Sequence, residues 1–149
     1  MLKFAKWGPF GVIALLMLGL VGVGVLTGAS SCWSGAADRL GSALAKEPVL
    51  AAHPAGSEPV SGGTSSCDAD DGHVEAWQDY RLSIPDAEAL AFYRDAAVGG
   101  GWRPVEGRRS PCYAKEVGGS TAYLYTGRPT EGDLFAVTIT ADTDGSPWC

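Results

Sequence analysis

Twenty consecutive uncharged residues, Trp7 to Leu26, follow Lys3 and Lys6 at the start of the chain. A run of that length is enough to cross the hydrocarbon layer as one helix, and basic residues on its N-terminal side hold that end in the cytoplasm. The run therefore predicts a single-pass protein of the cell membrane. Residues 1–6 form a cytoplasmic tail, 7–27 a signal-anchor helix, and all that follows is extracytoplasmic. The apolar stretch also exceeds the roughly 7–15 residues of a secretory signal core. Two other fates stay open. One is cleavage after the small residues Thr27-Gly28-Ala29-Ser30-Ser31; the other is lipid attachment at Cys32, where Ala29-Ser30-Ser31-Cys32 approximates a lipobox with Ala29 in the place of the preferred leucine.

The rest of the 149 residues has room for a connector and one small domain. All 17 acidic residues follow the apolar run, against nine basic ones, so this part carries a formal charge of −8. Such a surface repels nucleic acid and anionic lipid and lacks the clustered basic footprint that phosphate backbones require. Nucleic acid is excluded as a partner.

From residue 28 to 66 the chain is rich in Ala, Gly, Ser and Pro and reads as a connector. Ala36 to Lys46 predicts a short helix with Leu40 and Leu44 on one face, stopped by Pro48. The stretches 54–59 and 61–66 read as flexible tether, with a short edge strand around Pro59 to Ser61 as the alternative. Periodicity sharpens at His73. Val74, Ala76, Tyr80, Leu82 and Ile84 alternate with His73, Glu75, Asp79, Arg81 and Ser83, the two-residue period of a strand with one buried face. Gln78 interrupts the inner row and Trp77 stands on the outer one. At Pro85 and Asp86 the period changes, with Asp86 as N-cap and Glu88 in the first turn. Ala89, Leu90, Phe92, Tyr93, Ala96 and Ala97 then make an apolar helix stripe, ended by Gly99-Gly100-Gly101. Three extended segments follow: Trp102 to Val105 resuming at Cys112 to Val117, Thr121 to Thr126 after the hairpin signal Gly118-Gly119, and Leu134 to Ala141. The expected fold class is α+β, an N-terminal transmembrane helix and then, over residues 67–149, strand–helix–three-stranded antiparallel meander with one helix packed on the sheet.

Cys32, Cys67, Cys112 and Cys149 all follow the apolar run, where oxidation is possible. None falls in the close pairs of a structural zinc site. Four thiols allow three pairings. If the first strand and the strand after the helix run parallel, their starts lie close, and Cys67 with Cys112 is the expected bridge, leaving Cys32 and Cys149. For a domain of this size a disulfide contributes roughly 2–4 kcal/mol, a large part of its stability.

The chemistry-bearing residues do not converge. Asp68, Asp70 and Asp71 with His73 are the best metal candidates, oxygen donors for calcium with one imidazole for zinc. Gly72 stands at the fifth position of the loop, where an EF-hand needs a ligand, and the closing glutamate is replaced by Asp79. A solvated acidic turn is the simpler reading. His53 lies in the connector, so His73 alone is left for a histidine-dependent nucleophile, and no nucleophile elbow or phosphate-binding glycine loop occurs. No catalytic set and no cofactor are expected. Trp77, Trp102, Tyr113, Tyr123, Tyr125 and Trp148 are many aromatics for a small domain and are expected to serve mostly in core and cross-strand packing, with those on a solvated sheet face available to a protein or glycan.

The run Leu90-Ala91-Phe92-Tyr93, then Gly101-Trp102 and a cysteine before the next strand, with Trp148-Cys149 at the end, resembles small exported proteins of high-GC Gram-positive bacteria, single-anchor or lipoprotein-like. So does the segment Ala45-x-x-Pro48-x-Leu50-x-x-x-Pro54-x-Gly56. The resemblance spans residues 44–149 and implies a compact exported α+β module without assigned catalysis. The expectation is a membrane-anchored extracytoplasmic binding or envelope-accessory module, not an enzyme, whose partner is an envelope protein or glycan. The alternative is a secreted or lipid-tethered calcium or zinc protein using Asp68, Asp70, Asp71 and His73.

Overall fold

The computed structural model describes residues 35–66, 73–106, 111–129 and 132–142. The chain divides into two compact units, Met1–Ser30 and Ser31–Cys149, and every described residue belongs to the second. Three helices and six strands occur among them: α1 (Ala36–Leu44), α2 (Pro48–Ala51), β1 (Glu58–Ser66), β2 (His73–Arg81), α3 (Asp86–Gly99), β3 (Arg103–Pro104), β4 (Cys112–Val117), β5 (Ser120–Gly127) and β6 (Phe135–Asp142). The strands form one sheet in the order β1-β2-β6-β5-β4-β3, and every neighbouring pair is antiparallel.

This corrects the expected fold class. A meander of three strands beneath one helix is replaced by a six-stranded antiparallel sheet with three helices on one face. The connector contributes two of those helices and an edge strand. Ala36 begins α1 close to where the leucine spacing put it, and Pro48 opens α2, its missing N–H being harmless in the first turn. β1 extends the short strand alternative to nine residues. Gly62 and Gly63 within it carry almost no strand signal, yet β2 accepts them as partners.

The connection through α3 explains the strand order. Its 14 residues span about 21 Å at the α-helical rise, which matches roughly four strand spacings of the sheet. The chain therefore leaves β2, crosses the helix-bearing face and re-enters at the far edge as β3. The hairpin β4–β5 turns on Gly118 and Gly119, both at positive φ (62° and 88°), and β6 then closes the gap by pairing β2 on one side and β5 on the other. β2 and β4 are consequently antiparallel, with β6 and β5 between them. The parallel arrangement from which the Cys67–Cys112 pairing was argued is therefore absent among the described strands, and Cys67 itself lies outside the described residues.

One core joins helices and sheet. Ala37, Leu40 and Leu44 of α1, Val49 and Leu50 of α2, and Ala89, Tyr93 and Ala97 of α3 pack against Val74, Ala76, Tyr80, Leu124, Phe135, Val137 and Ile139. Tyr93 stacks on Phe135 with ring centroids 5.5 Å apart. The two buried tyrosines also pin the connector: the Tyr93 hydroxyl donates to the Ala52 carbonyl at 2.8 Å, and the Tyr80 hydroxyl donates to that of Leu50. Burial raises the phenol pKa of both, and for Tyr93 the neighbouring Tyr80 adds to it. Asp86 proves to be the first residue of α3 rather than its cap; its carboxylate accepts two bonds from Arg128 Nε, at 3.0 and 2.8 Å.

Among the described residues no helix is long and apolar enough to cross a membrane. The single-pass, cell-membrane assignment is withdrawn on that finding; the run Trp7 to Leu26 that motivated it lies outside the described residues. Among the described residues there is no complete disulfide, because Cys112, which is disulfide-bonded, is the only cysteine described.

Candidate functional site

Among the described residues the sheet has two edges, β1 and β3, and β1 is the longer. Each strand pairs through one row of N–H and C=O groups on either side. β1 uses one row on β2, and no strand among the described residues pairs with the other. Every residue from Glu58 to Thr64 is exposed.

Long side chains of β2 shape this edge. Gln78 folds over Gly62, its Nε2 donating to the carbonyls of Ser61 and, at 3.2 Å, Asp79. A Cβ on Gly62 would come within 2.4 Å of Gln78 Oε1 and 2.9 Å of the Trp77 carbonyl oxygen. On the opposite face the Trp77 ring lies across Gly63, 3.1 Å from where a Cβ would stand. The glycines thus make room for the Gln78 and Trp77 side chains of β2, which lie against β1. Ser61 is held by its hydroxyl, which donates to Asp79 Oδ2 at 2.7 Å. The pairing slips between Pro59 and Ser61, an irregularity that leaves Val60 45 % exposed.

Beside this edge, between the end of α1 and the β1–β2 pair, lies a groove of about 290 Å³ lined by Ala45, Leu50, Ala51, Gly63, Thr64, Trp77 and Gln78. Leu50 is buried, whereas Ala45, Ala51, Gly63 and Thr64 are exposed and form the opening. No charged side chain lines it.

The residues singled out by chemistry are placed elsewhere. His73 opens β2, half-buried, opposite Asp142 on β6. Asp142 is only 4 % exposed, and its Oδ1 has no hydrogen-bond partner. Glu75, next on the same face, accepts from the Tyr125 hydroxyl at 3.3 Å. Asp68, Asp70 and Asp71 lie outside the described residues, as do Cys32, Cys67, Cys149 and Trp148. Among the described residues no three His, Cys, Asp or Glu side chains are grouped closely enough to hold a metal ion. Of the aromatics, Trp102 and Tyr113 are buried in the core, while Trp77, Tyr123 and Tyr125 sit half-buried on the face away from the helices.

Nothing in the residue types of Ser61 to Thr64, Ala45 or Ala51 marks them as a site. Only the weak strand alternative near Pro59 pointed toward it; the groove is made by tertiary packing alone. Comparison with protein-family models, with curated proteins and with solved structures finds no match.

Proposed function

We propose that the chain is a non-catalytic binding module whose partner docks as an added strand on the outer side of β1. The observation that carries this reading is the nine-residue edge, exposed from Glu58 to Thr64 and unpaired on its outer side among the described residues. Proteins ordinarily blunt such an edge with a short strand, proline or inward charge, and edges left open are used to accept an extended peptide by main-chain hydrogen bonding. A row of alternating N–H and C=O groups complements another polypeptide backbone better than it complements a glycan, so the partner class is protein.

The test is a random-peptide display selection against the full-length chain, followed by binding to two proline variants. Ser61 and Thr64 are three residues apart in a regular stretch of pairing, so their N–H groups point to opposite sides of the strand. Of Ser61→Pro and Thr64→Pro, one removes a hydrogen bond to β2 and loses stability; the other keeps its fold and should lose the selected peptides. Full retention of binding by the folded proline variant, or failure of any peptide to enrich, contradicts the reading.

A further inference from the structure

We infer that residues 143–149 cross back over the helix-free face of the sheet as a strap, locked by a disulfide between Cys149 and Cys112. The burial of β6 calls for a cover. Thr138, Thr140 and Asp142 alternate with the core residues Val137, Ile139 and Ala141 and so face away from the helices, yet they are only 5, 2 and 4 % exposed. On β4, Cys112 and Ala114 alternate with Tyr113 in the same way and are buried outside the core cluster. An antiparallel sheet with helices on one face commonly leaves the other to water. Trp77, Tyr123 and Tyr125 on neighbouring strands flank these small side chains and are themselves half-buried. The cover therefore comes from a segment outside the described residues.

The bond at Cys112 identifies that segment. Cys112 is disulfide-bonded, and its partner is one of Cys32, Cys67 and Cys149. Cys112 shares a row with Tyr125, Thr138, Trp77 and Gly63. Cys67 follows Ser66, whose row runs through Val74 and Ala141. Four strand spacings and three residues along the strands put Ser66 about 21 Å from Cys112, whereas bridged Cα atoms lie within about 7 Å of each other. One further residue, ~3.8 Å, does not close that gap. Cys32 comes three residues before Gly35, the N-cap of α1, and α1 lies on the opposite face, with Leu40 beside Gly118 at the far end of β4. Cys149 has the reach. Asp142 stands two strand spacings and four residues from Cys112, about 16 Å, and the seven residues to Cys149 span up to ~23 Å. Asp144-Gly145 supplies turn chemistry for the reversal. The return path passes Thr140 and Thr138 and carries the apolar Trp148 with it. Closing the lock joins the two Sγ atoms and releases two protons and two electrons, taken up by a donor disulfide that is reduced to its dithiol.

The test is a disulfide map of the full-length, unreduced chain, alkylated and then digested with trypsin. Cleavage after Arg109 and Lys115 isolates Cys112 in a short peptide. That peptide should be found joined to the one carrying Cys149 and should separate from it on reduction. A map that joins Cys112 to Cys32 or Cys67 overturns the strap. The cover is tested separately with Thr140→Lys. Beneath a strap the lysine should lower the thermal midpoint by about 4–8 °C or more, or prevent folding; an unchanged midpoint would mean an open face and would overturn the cover even if the map shows the bond. Neither readout depends on the docking role of β1.

Discussion

The two edges of the sheet are built in opposite ways. β3 has two residues, one of them Pro104, which has no N–H to offer. The chain enters it through Trp102, only 2 % exposed and with the Lys115 ammonium 5.7 Å from its ring centre. That lysine is in turn 2.7 Å from Glu47, in the corner between α1 and α2. β3 is therefore short, proline-blocked and tied to the core. β1 has nine residues and is held by its pairing with β2 and by the side chains of Gln78 and Trp77 that fold over its glycines. The lesson is that the two edges are protected unequally: proline and a register irregularity interrupt β1 only between Pro59 and Ser61, whereas β3 is two residues long and follows a buried tryptophan.

The largest effect is expected at the closed edge. Trp102→Ala should destabilise the domain by about 3–5 kcal/mol through loss of a buried ring, read from the urea midpoint. A cost near zero would mean that β3 is no better anchored than β1. Next comes Gly62→Val, expected to cost about 1–3 kcal/mol by overpacking against Gln78 and the Trp77 backbone. Gly63→Val should cost less, because a Cβ there meets only the Trp77 ring, at 3.1 Å, and no backbone; an equal cost would contradict that difference.

Tyr93→Phe should cost about 1 kcal/mol at neutral pH, because it leaves the Ala52 carbonyl short of a donor. The same variant sharpens the pH behaviour. The folded pKa of Tyr93 is raised above the ordinary 10.0, so its stabilising effect is complete below pH 10 and is lost as the pH climbs above that value. Wild type should therefore weaken above pH 10 more steeply than Tyr93→Phe; parallel alkaline limbs would contradict the assignment. The smallest effect is expected for Thr64→Ala on the open edge, within about 0.5 kcal/mol, measured by the same denaturation.

Legibility in the sequence followed the closed half of the molecule. The alternation from His73, the stripe Ala89–Tyr93–Ala97 and the Gly118-Gly119 turn stated β2, α3 and the β4–β5 hairpin in local terms, since each is set by period and by positive φ. Gln78, which broke the alternation, found its reason only in Gly62 on the neighbouring strand. β1 was legible only as the short alternative around Pro59 to Ser61, because glycine, serine and threonine there answer to β2's side chains and not to a buried face of their own. Nor did any local signal state that β6 would insert between β2 and β5, because that follows from the reach of α3 across the sheet. His73 and Asp142 lie 69 positions apart in sequence and meet only through that insertion.

Hydrogen exchange resolved by residue along β1 tests the central claim most directly. In the free chain the amides between Ser61 and Thr64 should alternate, those facing β2 protected and those facing outward exchanging at nearly the rate of an open chain, and a selected peptide should slow the outward set selectively. Outward amides that are already protected in the free, monomeric chain would show that this edge is covered, and the proposed docking strand would have nowhere to bind.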